Sequence, residues 1–250
     1  MGLVARRMNL LPVTVALAGL LALWELAIAL FRVPGFVLPR PLDIATAVME
    51  NPGLYASGML LTALEAIGGF AAGAALGFGL AVLMVLFRPL ERALVPIAIA
   101  ISSVPSIAFI PLALVWFGLG PVSKVAMAAL AVVFVVLLNT LNGLKRPDRE
   151  AINLVRSFGA GRVGILWRLQ LPAAMPAVVT GLRVGLARST IAVIVAEMLG
   201  AYAGIGQIIY QATVQVDALH VWAGVAVATA GSLLLNAVLV AVDRRLVWWS

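Results

Sequence analysis

The stretch VAMAALAVVFVVLLNTLNGL, residues 125–144, decides the fold class, because it holds no Asp, Glu, Lys, Arg or His and its residues 126–138 are apolar on every face. At 1.5 Å rise per residue, about 20 such residues cross a hydrocarbon core of about 30 Å. A barrel strand would instead alternate apolar and polar positions over about ten residues, so residues 126–138 argue against a β-barrel.

Reading outward, residues 66–87, 93–123 and 221–242 are equally free of charge, while 10–30 and 176–199 carry isolated charges. The whole chain, 250 residues with 64% hydrophobic and 11% charged, has too little polar surface for a water-soluble domain. Its 23 glycines and 13 prolines suit membrane helices, where small residues permit close packing and neighbours re-satisfy broken backbone bonds. The expected fold is an all-α polytopic membrane protein, a single membrane domain over residues 1–250, with six spans near 10–31, 58–87, 93–116, 123–144, 176–199 and 218–242. Between the first two spans, Pro34, Pro39, Pro41 and Pro52 frame a short interfacial helix around residues 42–49.

Basic residues divide unevenly between the two sides of this bundle. Arg6, Arg7, Arg88, Arg92, Lys145, Arg146, Arg149, Arg156, Arg162, Arg168, Arg244 and Arg245 fall on one side; Arg32, Arg40 and Lys124 fall on the other. The positive-inside rule then predicts both termini in the cytoplasm. The same asymmetry accounts for the net charge of +7, and no basic groove interleaved with aromatics points to nucleic acid. Arg6 and Arg7 ahead of an apolar run, with Ala27-Ile28-Ala29 behind it, outline a signal peptide. The run is long enough to span and Glu25 sits awkwardly before the cut, so a retained first span is expected. Trp24, Trp116, Trp222, Trp248 and Trp249 read as interfacial anchors. The absence of cysteine removes disulfide and thiol chemistry, and the lone His220 reads as a residue flanking the last span rather than a metal ligand.

The inner connection, residues 145–175, is more than a tether. Ala151, Leu154, Val155 and Phe158 share one helical face, Gly159-Ala160-Gly161 interrupts the pattern, and Val163, Leu166 and Leu169 form a second stripe ending at Leu171-Pro172. Two short amphipathic helices about a glycine elbow make a knob that a partner can grip. Neither Lys124 nor Lys145 lies in a Gly-rich loop of the Gly-x-x-x-x-Gly-Lys-Ser/Thr type, so a phosphate cradle of that kind is excluded.

Here the sequence resembles the binding-protein-dependent ABC importer permeases. Their cytoplasmic loop reads Glu-Ala-Ala, three residues, Gly, nine residues, Ile, one residue, Leu-Pro. Gly159 and the run Leu169-Gln170-Leu171-Pro172 keep that spacing, whereas Asn153-Leu154-Val155 stands where Glu-Ala-Ala is usual. Glu150-Ala151 lies three residues too early to replace it. Asn153 keeps an acceptor but loses the charge of a glutamate, so Gly159 is expected to matter more than Asn153. LPRP at 38–41, VPSIAFIPLA at 104–113, WFGLG at 116–120, LNT at 138–140 and AEMLGA at 196–201 narrow the resemblance to the sulfonate, taurine and nitrate branch. Permeases of pyrimidine and other vitamin precursors resemble the same branch.

The resemblance implies a homodimer of permeases and two ATPase subunits carrying ATP and Mg. It also implies a substrate-binding protein outside the bacterial inner membrane, with no cofactor in this chain. It implies ATPase coupling through Asn153, Leu154, Val155, Phe158, Gly159, Ala160, Leu169, Leu171 and Pro172. Charges within spans are costly and usually face a cavity or a partner. On that ground Arg188, with Ser189 and Thr190, is a candidate lining for an anion path, the alternatives being a structural ion pair to another span or snorkelling to the surface. Glu197 is a second candidate, for gating or for bonding to backbone; Ser106 and Phe109 join the set beside Pro105 and Pro111, which interrupt the third span. Glu65 is expected at the outer interface. A stand-alone secondary carrier or channel is the rival class, without the inverted repeats it would normally show. An enzyme is disfavoured because the serines lack a histidine base and Glu25, Glu65 and Glu197 show no acid–base spacing.

Overall fold

A backbone in hydrocarbon has no water to bond, so each apolar stretch must close its own hydrogen bonds, and the helix does this within one segment. The computed structural model describes residues 10–246, without the side chains of Leu10, Leu11, Val13, Val242, Arg244, Arg245 and Leu246. Arg6, Arg7, Trp248 and Trp249 lie outside the described residues. Among the described residues the chain is helical throughout, without strands. The elements are α1 (Leu10–Phe31), α2 (Pro41–Glu50), α3 (Pro52–Leu86), α4 (Arg88–Ser102), α5 (Ile110–Phe117), α6 (Pro121–Leu144), α7 (Arg149–Ser157), α8 (Arg162–Ile165), α9 (Leu171–Leu199), α10 (Ile205–Val214) and α11 (Ala218–Leu246). Helices α2, α3 and α6 each start on a proline, whose fixed φ suits the first turn and whose missing N–H costs nothing there.

Five runs are long and apolar enough to cross a membrane: α1, α3, α6, the continuous stretch Arg162–Leu199, and α11. The expected third span is not a straight helix. It is α4 followed by Ser106–Phe117, with an 87° bend between them. Pro105 removes a donor and disfavours helix at Val104, while Pro111 sits in the first turn of α5, where a proline fits.

The second short helix of the inner loop also differs from expectation. It does not stop at Leu171-Pro172 but runs from α8 through a π turn, Leu166–Gln170, into α9. Pro172 cannot donate to the carbonyl one turn back, and the wider π turn absorbs the register change. Helix α10 lies within the segment read from sequence as a connection. Its stripe of Ile205, Ile208, Ile209 and Ala212, at the i, i+3, i+4, i+7 spacing, is the signal that marks it.

Helices α3, α6 and α9 form the core of the bundle. Gly69, Gly73 and Gly77 lie on one face of α3, at four-residue intervals, against α6. A Cβ on Gly73 would stand 2.5 Å from the Ala129 carbonyl oxygen and 2.8 Å from the Val132 Cβ. On the far side of α6, Gly143 meets Ala174 and Ala177 of α9, and Gly181 of α9 meets Asn139. At the end of the bundle nearer α7, Met84, Leu137, Leu144, Leu166 and Val178 fill the space between these helices. Helix α2 tucks Ile44 and Ala47 against Tyr55, Ile205 and Ala223. By contrast α1 buries only Ile28 among its described side chains and turns Leu17, Leu20, Leu23 and Leu30 outward.

This packing separates two otherwise identical substitutions. Gly73→Ala places a methyl where backbone must move, at about 1–3 kcal/mol. Gly79→Ala meets nothing within 4 Å and gains up to about 1 kcal/mol of helix propensity. Thermal unfolding of the two purified variants in detergent is expected to show a lowered midpoint for the first alone.

Candidate functional site

Three features collect the residues singled out by the sequence. The first is the knob of α7 and α8. Asp148 caps α7 by accepting the Ala151 N–H at 2.7 Å, which fixes where the helix begins. The helix then presents Asn153, Leu154 and Phe158 outward, with Phe158 82% exposed. Gly159 ends it at φ +83°, donating to the Arg156 carbonyl at 2.9 Å, while Ala160 donates to that of Val155 at 3.4 Å. Nothing lies within 4 Å of a Cβ at Gly159, so backbone conformation rather than space selects glycine there. Val155 and Ala160 are half-buried behind this surface; Leu169 and Leu171 are half-buried at the root of the knob, beside exposed Pro172. An exposed aromatic on a capped, rigid helix is suited to insertion into a partner's groove.

The second feature is the elbow between α4 and α5. A cleft of about 240 Å³ lies there, lined by Ser102, Ser103, Ser106, Phe109, Phe134 and Arg188 among others. The Ser102 and Ser103 hydroxyls donate back to the Ile99 carbonyl at 2.9 Å, completing the frayed end of α4. Arg188 is exposed in the isolated chain and makes no ion pair among the described residues. It stands about 16 Å from the Leu199 end of its helix, deep within the apolar thickness.

Ser189 and Thr190, grouped with Arg188 by sequence, point elsewhere. Ser189 is fully buried and donates to the Ala66 carbonyl at 2.6 Å, pinning α9 to α3. Thr190 bonds the Leu186 carbonyl and turns toward α10 and α11. The inter-span ion pair belongs to Arg183, which binds Asp243 of α11. His220 pairs with Asp217, whose carboxylate also accepts the His220 N–H at 3.1 Å and so caps α11.

The third feature is a buried polar hub centred on Glu197, whose side chain is fully enclosed. Its carboxylate takes the Thr62 hydroxyl at 2.7 Å and the Gly206 N–H at 2.7 Å, while Thr62 accepts the Ile205 N–H at 2.9 Å. Glu197 therefore caps α10 from another helix, next to Gly204 at φ +118°. Glu65 does not reach an interface as expected. It is 5% exposed, packed beside Glu197 and Lys124, because α3 begins six residues earlier than the 58–87 span and carries position 65 inward. Lys124, counted by sequence with the charges of the outer side, is buried in the first turn of α6, where its ammonium donates to the carbonyls of Leu119, Gly120 and Gly200. Only the clash of charge with an apolar segment could have hinted at this hub from sequence. Among the described residues no cluster has the composition of a metal site.

Comparison with known proteins supplies the family. Residues 69–248 match the family model described as binding-protein-dependent transport system inner membrane component. The riboflavin transport system permease protein RibX of Chloroflexus aurantiacus is 32% identical over 241 residues, covering 96% of this chain and 89% of that one. The taurine transport system permease protein TauC of Escherichia coli is 36% identical over 154 residues, covering 62% of this chain and 56% of TauC. In fold, an inward-facing structure of the MetNI methionine ABC transporter superposes with a TM-score of 0.61 at 22% identity, covering 76% of this chain and 96% of that one. With several apolar helices of spanning length and this match over most of its length, the chain belongs to the binding-protein-dependent inner membrane components, the multi-pass permease subunits of ABC importers.

Proposed function

We propose that this permease conducts a small anion of the sulfonate, taurine or nitrate kind, and that Arg188 receives it in the cleft at the α4–α5 elbow. The carrying observation is an arginine deep in a spanning helix, without a carboxylate partner among the described residues, facing a cleft that also holds Ser106. A guanidinium placed in hydrocarbon needs a counter-charge, and a transported anion supplies one transiently. The likeness to TauC supports this reading. A second reading, a flat vitamin precursor, draws on Phe109 and Phe134 in the same cleft and on the likeness to RibX.

The assembly proposed around it has two copies of this chain, each acting as one permease unit with both termini in the cytoplasm. Two ATPase subunits bind ATP and Mg and dock on the α7–α8 knob, and a binding protein delivers solute on the opposite face. Energy then enters at the knob and biases the bundle between two states, one open to each side. This chain supplies no nucleotide site in that scheme.

Two experiments test these assignments. The ligand of the partner binding protein is first chosen from an alkanesulfonate, taurine, nitrate, riboflavin and a pyrimidine by calorimetry. ATP-driven uptake of that ligand is then measured in proteoliposomes. For an anion, Arg188→Gln is expected to lower uptake about ten- to hundredfold, as the loss of one charge-assisted bond would give; unchanged uptake defeats the anion assignment. If the ligand is a neutral heterocycle, Phe109→Ala should produce the loss instead.

For docking, Phe158→Ala removes an exposed side chain without touching the core. It is expected to weaken copurification of the ATPase by about tenfold or more, as truncation of an interface anchor does. Gly159→Val, strained by about 1–2 kcal/mol at positive φ, should do the same while the chain still inserts and folds, with only a modest fall in its thermal midpoint. Wild-type copurification with both variants would refute docking at this knob.

A further inference from the structure

Where α3 gives way to α4, a second cleft, of about 390 Å³, is lined by Arg88, Arg156, Arg162 and Gln170, with Leu86 and Ile165 among its apolar members. Its volume falls within the roughly 300–1,000 Å³ of small-ligand sites. Three guanidiniums share the space, contributed by the start of α4, by α7 and by the start of α8. No carboxylate lines it, and none of the three makes an ion pair among the described residues. The ion pair nearest in sequence, Lys145 with Glu91, takes up the acid that follows Arg88. Like charges gathered this way repel one another, so the arrangement is stabilised by an anion that several arginines can grip in bidentate fashion.

The position of the cleft narrows the anion. The uncharged run of α3 ends at Leu86 and Arg88 opens α4, and this change from apolar residues to charge puts the cleft at the boundary between hydrocarbon and water. Beside it in the chain, Leu83 and Phe87 are 44% and 57% exposed and offer apolar surface on the hydrocarbon side of that boundary. A charged pocket flanked by exposed apolar side chains matches an amphiphile with a phosphate head and acyl tails. We propose that this cleft binds the phosphate of an anionic phospholipid, of the phosphatidylglycerol or cardiolipin class, and that the bound headgroup ties α7 and α8 to the end of α3. The site lies apart from the elbow cleft and leaves the exposed face of Phe158 free. It rests on the function proposed above only for the leaflet concerned, the cytoplasmic one, where juxtamembrane arginines meet anionic lipid.

The test compares the wild-type importer with the double variant Arg88→Gln/Arg162→Gln, each reconstituted in nanodiscs of phosphatidylcholine containing a minor fraction of phosphatidylglycerol. Phospholipid retained after transfer to detergent is counted by native mass spectrometry. The wild type is expected to keep phosphatidylglycerol selectively, and the double variant to keep it at least about tenfold more weakly. Arg88→Lys/Arg162→Lys is expected to restore part of the retention, which separates loss of charge from misfolding. Inorganic phosphate and glycerol phosphate are added as competitors. Displacement of the lipid by either at comparable concentration would assign the site to a soluble phosphate and overturn the lipid source. Equal retention by wild type and the Gln double variant overturns the site altogether. Retention unchanged with the ATPase lost would reassign the arginines to protein docking. Copurification of the ATPase with the wild type is read in the same samples. Its failure would speak against the importer assembly while leaving the lipid count to stand or fall by itself.

Discussion

The close approach of α3, α6 and α9 is the constraint on which the other features depend. In hydrocarbon, burying apolar surface gives helices little reason to associate, so their contact relies on dispersion and on backbones coming near enough to exploit it. Gly69, Gly73 and Gly77 permit this on one side of α6, and Gly143 with Gly181 on the other. Because three helices meet without intervening side chains, Ser189 reaches the Ala66 carbonyl and Thr62 reaches Glu197. Separate the helices by the width of a methyl group and both bonds stretch beyond useful length. The buried hub is thus a product of glycine spacing rather than an independent device.

That hub in turn fixes elements which apolar packing alone leaves loose. Burying a carboxylate without partners costs far more than a helix contact returns, so Glu197 commits Thr62 and Gly206 to a single arrangement. Lys124 does the same for carbonyls at the start of α6 and at Gly200. Position by position, the end of the bundle distant from the knob is held by polar bonds, and the end nearer the knob by Met84, Leu137, Leu144 and Leu166. The two ends therefore differ in kind: one is held chiefly by buried polar bonds, the other chiefly by apolar packing.

Much of this architecture was legible because the spans are long and the positive charge lopsided. Residues 125–144 admit hardly any reading but a spanning helix, and the knob announced itself through the break in amphipathic period at Gly159. What stayed hidden is tertiary. Arg188 and Ser189 are neighbours in sequence, yet successive residues on a helix point about 100° apart, so one meets the elbow cleft and the other meets α3. Glu65 looked peripheral because the turns of helix ahead of it were placed as loop, a matter of boundaries that a uniform apolar pattern cannot fix, and Lys124 because a lysine at the head of a span ordinarily faces water, whereas here the carbonyls of Leu119, Gly120 and Gly200 take its ammonium. The continuity of α8 with α9 was masked by Pro172, which ordinarily signals a stop and here is accommodated by a π turn. Helix α10 is short and follows closely on Gly200 and Gly204, and its period shows only once the segment is considered by itself.

The unbroken course from Arg162 to Leu199 has a mechanical meaning. A helix of this length is stiff along its axis, so whatever turns its exposed end sweeps its interior like a lever arm. From Arg162 to the level of Arg188 the arm is about 39 Å long, and because Ser189 pins α9 to α3 a tilt of roughly 10° must carry the packed helices together, moving that level sideways by about 7 Å. The π turn near its fulcrum and Pro176 shortly beyond it are where the rod can flex, so the stroke delivered to the membrane interior is set largely by how much that short stretch gives.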